Sequence, residues 1–253
     1  MISSHSSRLI TLVCLIAPAA TAQIHLHFGV EAGIPLADTL LSTSNNSISA
    51  TSSSLDQYNS KTKRLLVGPA FRVDLQSGLG IEIDALDQRV NYDHTIVSSV
   101  SAGFPFSQSV EQTTANRWQF PLLVQYTWTL SKSKTRPFVE GGPSISRMTN
   151  SRSTVRTTTN LTSSLTSSST SSVTGQGGTW AGIVAGAGVD FPLFRGHLRP
   201  EFRYSHWFSQ TAASQPGILS GLVIFPGFIT STTVLPSFRM NQNEASFLLG
   251  LTF

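Results

Sequence analysis

Cysteine is almost absent. Cys14 is the single thiol in 253 residues, and it falls in an N-terminal segment that reads as removable. Disulfides and thiolate chemistry are thereby excluded from the rest of the chain. Charge is sparse as well, since 12% of residues are Asp, Glu, Lys or Arg. The formal charge of +4 includes Arg8, and no stretch clusters its basic residues. Nucleic-acid binding needs a concentrated basic face, so no nucleic-acid partner is expected. Beyond residue 22 no run of about 18 apolar residues occurs, and no transmembrane helix is expected. Zinc motifs, phosphate loops and nucleotide fingerprints are also missing, so neither a metal centre nor a cofactor is expected.

Residues 1–22 have the form of a cleaved secretory signal. Arg8 supplies a positive n-region, 9–20 is a short apolar run, and Ala20-Thr21-Ala22 is a small-x-small cleavage site. The run is too short to span a bilayer, which takes about 20 apolar residues. A lipid anchor on Cys14 would need a small residue before it, and Val13 breaks that pattern. The mature domain is expected to be 23–253, and roughly 230 residues suit one all-β domain.

What the chain has in abundance is alternation. In 244–253, Phe247, Leu249, Leu251 and Phe253 share one face, opposite Ser246, Leu248, Gly250 and Thr252. That period of two belongs to an extended strand. Seven more such stretches are expected: 24–34, 65–75, one starting near Gly80, 117–128, 138–149, 180–191 and 198–208. In the third the phase blurs around Asp87, which predicts a bulge or a strand leaving the membrane. The fourth carries Trp118, Phe120, Leu122, Val124, Tyr126 and Trp128 on its apolar face. Aromatics at both ends with aliphatics between them fit a lipid-facing strand with an aromatic girdle at each interface, and Tyr204 joins that girdle. Short connections (76–79, 130–137, 192–197) alternate strictly with long ones (about 35–64, 95–116, 150–179, 209–243). Short periplasmic turns and long external loops follow this rule, with both ends of the domain in the periplasm. The Ser/Thr-rich 150–179 loop has too little apolar surface to repay ordering and is expected to be a mobile, solvated tip, with glycosylation or adhesion as alternatives.

The opposite faces gather charge of both signs. Glu31, Asp74, Glu82, Asp84, Glu140, Asp190 and Glu201 are acidic; Arg72, Arg117, Arg199 and Arg203 are basic. An eight-stranded barrel is just wide enough for side chains to fill it, so these charges are expected to pair as a plug, with a narrow pore as the alternative.

The runs RWQFPLLVQYTW (117–128), PFVEGGPS (137–144), PEFRYSHW (200–207) and FLLGLTF (247–253) resemble small OmpA-like eight-stranded outer-membrane barrels. The resemblance implies a closed, antiparallel, eight-stranded up-and-down transmembrane β-barrel in the bacterial outer membrane. It implies contact with membrane lipid and lipopolysaccharide, and Phe253 as part of the signal read by the barrel assembly machinery. The expected role is structural or surface-interactive, in a monomer, with an unknown ligand for the loops. The alternatives are a small pore and a lipid A-modifying enzyme. Lipid A deacylases resemble this chain at Arg203-Tyr204-Ser205-His206, but their next Ser, two residues past the His, is Phe208 here. No catalytic residue is therefore expected, and His206 is read as a belt residue. His25 and His27 share a face at a spacing that suits a metal, but no third ligand is evident, and a polar pair at the periplasmic mouth is expected.

Overall fold

The computed structural model describes residues 24–50, 52–75, 77–100, 106–130, 133–162, 164–175, 178–209, 219–225, 228–234 and 240–253. The proposed signal segment, with Arg8 and Cys14, lies outside them. Their strands are β1 (Ile24–Pro35), β2 (Thr43–Ile48), β3 (Ser52–Ser60), β4 (Leu66–Leu75), β5 (Leu79–Asp84), β6 (Leu86–Val100), β7 (Phe106–Thr127), β8 (Arg136–Thr162), β9 (Leu165–Gly175), β10 (Thr179–Leu193), β11 (Gly196–Trp207), β12 (Leu219–Phe225), β13 (Phe228–Val234) and β14 (Asn243–Thr252).

Alternation turns one side of each wall inward and the other outward, and pairing closes the ring. The order is β1, β4, β5 with β6, β7, β8, β10, β11, β14 and back to β1, all antiparallel. The seam pairs Gly29 with Thr252 and Pro35 with Ser246. β5 and β6 are one wall interrupted at Ala85, whose N–H still donates to the Pro69 carbonyl at 3.0 Å. The bulge considered there is absent, because Asp84 opposite Ala70 and Asp87 opposite Val67 keep one register. The phase change is instead a change of surroundings: the outward side passes from Ile83 to Asp87 and Arg89, beyond the apolar band. That band is bare of protein. Phe28, Val30, Ile83, Val124, Ile145, Phe202 and Phe247 are each 47–64% exposed. Apolar side chains left open all round a closed sheet are the lipid-facing surface of a membrane barrel.

The expectation of structureless long connections is corrected. β2 and β3 form a hairpin, and β3 pairs along β6 from Ser52 opposite Val100 to Ser60 opposite Tyr92. β6, β7 and β8 run on past the barrel, and β9 adds to β8. The result is a six-stranded paddle, β2-β3-β6-β7-β8-β9, standing above one wall. The Ser/Thr-rich segment orders here because neighbouring strands supply its backbone hydrogen bonds, and Thr is well suited to strands. Hydroxyls also pair across strands, as Ser109 with Thr157 at 3.1 Å and Thr113 with Ser153 at 2.5 Å. In the 209–243 connection β12 and β13 pair with each other, while 210–218, 226–227 and 235–239 lie outside the described residues.

The paddle has one buried charged node. His94 Nε2 meets Asp56 Oδ1 at 2.7 Å, and His94 Nδ1 lies 3.6 Å from Glu111 Oε2. Thr113 donates to Glu111 at 3.1 Å, and the Tyr58 ring stacks on His94 at 4.0 Å. Burial alone would raise the Glu111 carboxyl, but the neighbouring His94 ring and the Ser153 and Thr113 hydroxyls outweigh it and hold the group below its usual value near 4.5. A carboxyl depressed in the folded state stabilises above the unfolded value and loses that contribution as pH falls through the folded one. Protection factors of the β6 and β7 amides around His94 and Glu111, taken relative to the intrinsic exchange rate at each pH, should therefore fall on acidification from about pH 7 to about pH 3. Glu111→Gln should flatten that dependence.

Candidate functional site: the filled lumen and the lipid-facing wall

Inward side chains fill the barrel in layers. At the end that carries the short turns is a cavity of about 640 Å³ lined by His25, His27, Lys134, Arg136 and His197, among others. Its floor is an ion-pair mesh. Arg72 Nε meets Asp74 at 3.1 Å, Arg72 Nη2 lies 3.7 Å from Asp190, Arg136 donates to Asp190 at 2.8 Å, and His197 Nδ1 is 2.7 Å from Asp190.

The middle layer centres on Arg203. It reaches Glu201 at 2.6 Å, Asp84 at 2.8 Å, Glu140 at 3.1 Å, Glu82 at 3.4 Å and Glu31 at 3.7 Å. Arg199 pairs with Glu82, donates to Gln125 Oε1 at 2.7 Å, and stacks over Phe138 at 4.3 Å. All these groups except Gln125 and Phe138 are ionisable, and burying any of them unpaired would be expensive. Carboxylate oxygens of Glu31, Glu82 and Asp84, and of Glu82, Glu140 and Glu201, lie within 4.8 Å of one another. Arg203 already stands where a cation would be needed, since each of the five carboxylates is within ion-pair reach of it. Gly186 makes room: a methyl there would meet Glu140 Oε1 at 2.8 Å.

Above this sits an apolar gasket of Leu66, Leu86 and Leu248. Beyond it Arg117 makes a fork to Glu244 at 2.7 and 2.9 Å, donates to Ser146 at 2.8 Å and to Thr39 at 3.1 Å. Trp207 donates to the same carboxylate at 2.9 Å, and the Arg117 guanidinium lies 4.9 Å over its ring. A buried cluster of Leu40, Val90, Tyr92, Ala115, Met148, Trp180, Trp207 and Met240 caps the stack, with Leu40 bridged to Met240.

All eleven charged residues expected inside are there, and ten are buried; Asp74, at the mouth, is 25% exposed at its side chain. Sequence reasoning missed Glu244 and Trp207, though parity marks both: Glu244 is in phase with Ser246 and Leu248, and Trp207 with Arg203 and Ser205. It also missed Arg136 and His197, which come from turn-proximal ends where alternation is shortest. His197 does reach His27, with ring centres 5.7 Å apart, but His27 faces Asp74 at 3.4 Å and His197 faces Asp190.

The family model described as outer membrane protein beta-barrel domain matches residues 19–212. The chain belongs to that family. Its place is the bacterial outer membrane. Among solved structures it is similar to Neisserial surface protein A, at 11% identity and a TM-score of 0.34, with 91% of this chain and 97% of that one covered. No curated protein matches it.

Within this outer-membrane barrel the girdle residues are where alternation places them. Trp118 stacks on Phe120 at 6.1 Å at one edge of the band, and Tyr126 meets Trp128 edge-on at 5.2 Å at the other. Tyr204 donates to Asn243 Oδ1 at 2.7 Å, and His206 Nδ1 lies 2.8 Å from the same atom. His206 thus stands on the outer wall, its ring 6.1 Å from Phe208. Phe253 is 66% exposed at the seam, its N–H donating to the Phe28 carbonyl at 2.8 Å.

Proposed function

We propose that this outer-membrane barrel is an anchor and not a conduit, and that its role is contact with molecules outside the cell through the paddle. The observation that carries this reading is the lumen: charge mesh, leucine gasket, Arg117–Glu244 layer and apolar cap follow one another along the axis. A barrel of eight walls has just enough width for such filling. What remains for function is the paddle, which more than doubles the length of β7 and β8 beyond what spans the membrane. In this reading residues 1–22 direct export, Phe253 belongs to the signal that the assembly machinery reads, and the chain carries out no reaction on lipid A.

Planar-bilayer recording separates anchor from conduit. The purified full-length protein should insert without unitary conductance steps at neutral pH. Regular steps that change when Arg203 is replaced would overturn the reading, because that pattern belongs to a pore running through the Arg203 layer.

A further inference from the structure

Five arginines described inside the barrel, Arg72, Arg117, Arg136, Arg199 and Arg203, all meet carboxylates. Outside, on the wall that carries the paddle, some cations stand without an ion-pair partner. Lys63, Arg89, Arg147 and Arg152 are all exposed, and none has an ion-pair partner among the described residues. Pairing fixes their arrangement. Arg147 is opposite Trp118, at the edge of the apolar band. Arg89 is opposite Asn116, and Lys63 lies beside Arg89, its N–H donating to the Arg89 carbonyl at 3.0 Å. Arg152 is opposite Thr114, one outward position further from the band. With strands about 4.8 Å apart and outward residues about 7 Å apart along each, the four cations fall in a patch about 14 Å on a side.

The nearby acids do not neutralise it. Asp93 on the same wall is already paired with Lys61. Asp87 lies opposite Trp118, on the strand across β7 from Arg147, and offsets one charge of the four. At the same height the far wall presents Tyr204, His206 and Phe208. The excess is therefore one-sided, and it begins where the hydrocarbon ends.

We propose that this patch is a docking site for the phosphate groups of outer-leaflet glycolipid, the phosphorylated lipid of the lipopolysaccharide type. The inference rests on the outer-membrane placement and on the paddle facing outward, not on whether the lumen conducts. Guanidiniums fork onto phosphate oxygens, and Lys63 adds a point charge. The Asn116 amide and Thr114 hydroxyl offer neutral donors between the cations. Charge at the level of Trp118 meets headgroups, whereas charge placed deeper would meet acyl chains.

The test uses the full-length protein in detergent, titrated with lipopolysaccharide, with the same glycolipid stripped of its phosphates, and with heparin as a soluble polyanion. Thermal unfolding is followed by heat-dependent gel mobility. Phosphorylated glycolipid should raise the unfolding temperature of the wild type, and dephosphorylated glycolipid should do so far less. The variant Lys63→Gln/Arg89→Gln/Arg147→Gln/Arg152→Gln should bind roughly 600-fold more weakly, the product of roughly 5-fold for each of the four charges. If it lacks folded mobility, Arg89→Gln and Arg147→Gln decide singly, each expected to lose roughly 5-fold. Equal binding by variant and wild type, or equal binding of the dephosphorylated glycolipid, overturns the proposal. Heparin binding as tight as lipopolysaccharide, with the same loss in the variant, overturns the choice of a lipid as occupant.

Discussion

Arg203→Met should cost the barrel about 3–5 kcal/mol, the usual consequence of removing one partner from a buried ion pair. Total stabilities of about 5–15 kcal/mol make this a large share. The reason lies in the count at that point. Five carboxylates, Glu31, Glu82, Asp84, Glu140 and Glu201, lie within ion-pair reach of this one guanidinium. Met nearly matches the stem in length and leaves the acids with Arg199 alone. Urea unfolding in lipid vesicles, read by heat-dependent gel mobility, measures the loss. Adding Glu201→Gln and Asp84→Asn should restore part of it, because the cost is unpaired negative charge and not lost volume. A wild-type midpoint for Arg203→Met would show that those acids do not depend on Arg203.

Leu122→Arg should cost about 2–4 kcal/mol, the range for a cation facing lipid near the bilayer midplane. Leu122 is 46% exposed and sits midway along the outward row from Trp118 to Trp128. By contrast, Thr154→Arg on the exposed face of the paddle should stay within about 0.5 kcal/mol. Measured together, the two substitutions separate a hydrocarbon environment from a watery one on the same pair of strands, β7 and β8. Equal effects would remove the basis for calling the band lipid-facing.

Alternation made the barrel legible in the sequence because a closed sheet imposes it on every wall whatever the residues inside do. Trp118 to Trp128 and Phe247 to Phe253 declare their faces without any knowledge of neighbours. The inward charges were legible for the same reason. Their partners were not: Arg199 and Glu82 are 117 residues apart, and Arg117 and Glu244 are 127 apart. Which of them meet depends on the stagger between walls, and no local pattern encodes that. The paddle was misjudged because low hydrophobicity was weighed as though each segment had to order alone. Residues 151–160 gain order from β7 and β9 on either side, a benefit that appears only once the pairing is known. The unpaired cations outside were overlooked because a sparse net charge hides where single residues stand.

The seam between β1 and β14 sets the order of events in biogenesis. Gly29 and Thr252, distant in sequence, pair across the seam, so no cylinder exists until β14 has been made. Until then the two outermost strands each have a bare edge, and the greasy flanks lack any solvent that suits them. Ring closure is thus the closing act of folding, and a polypeptide stalled just short of β14 has every other wall and still no barrel.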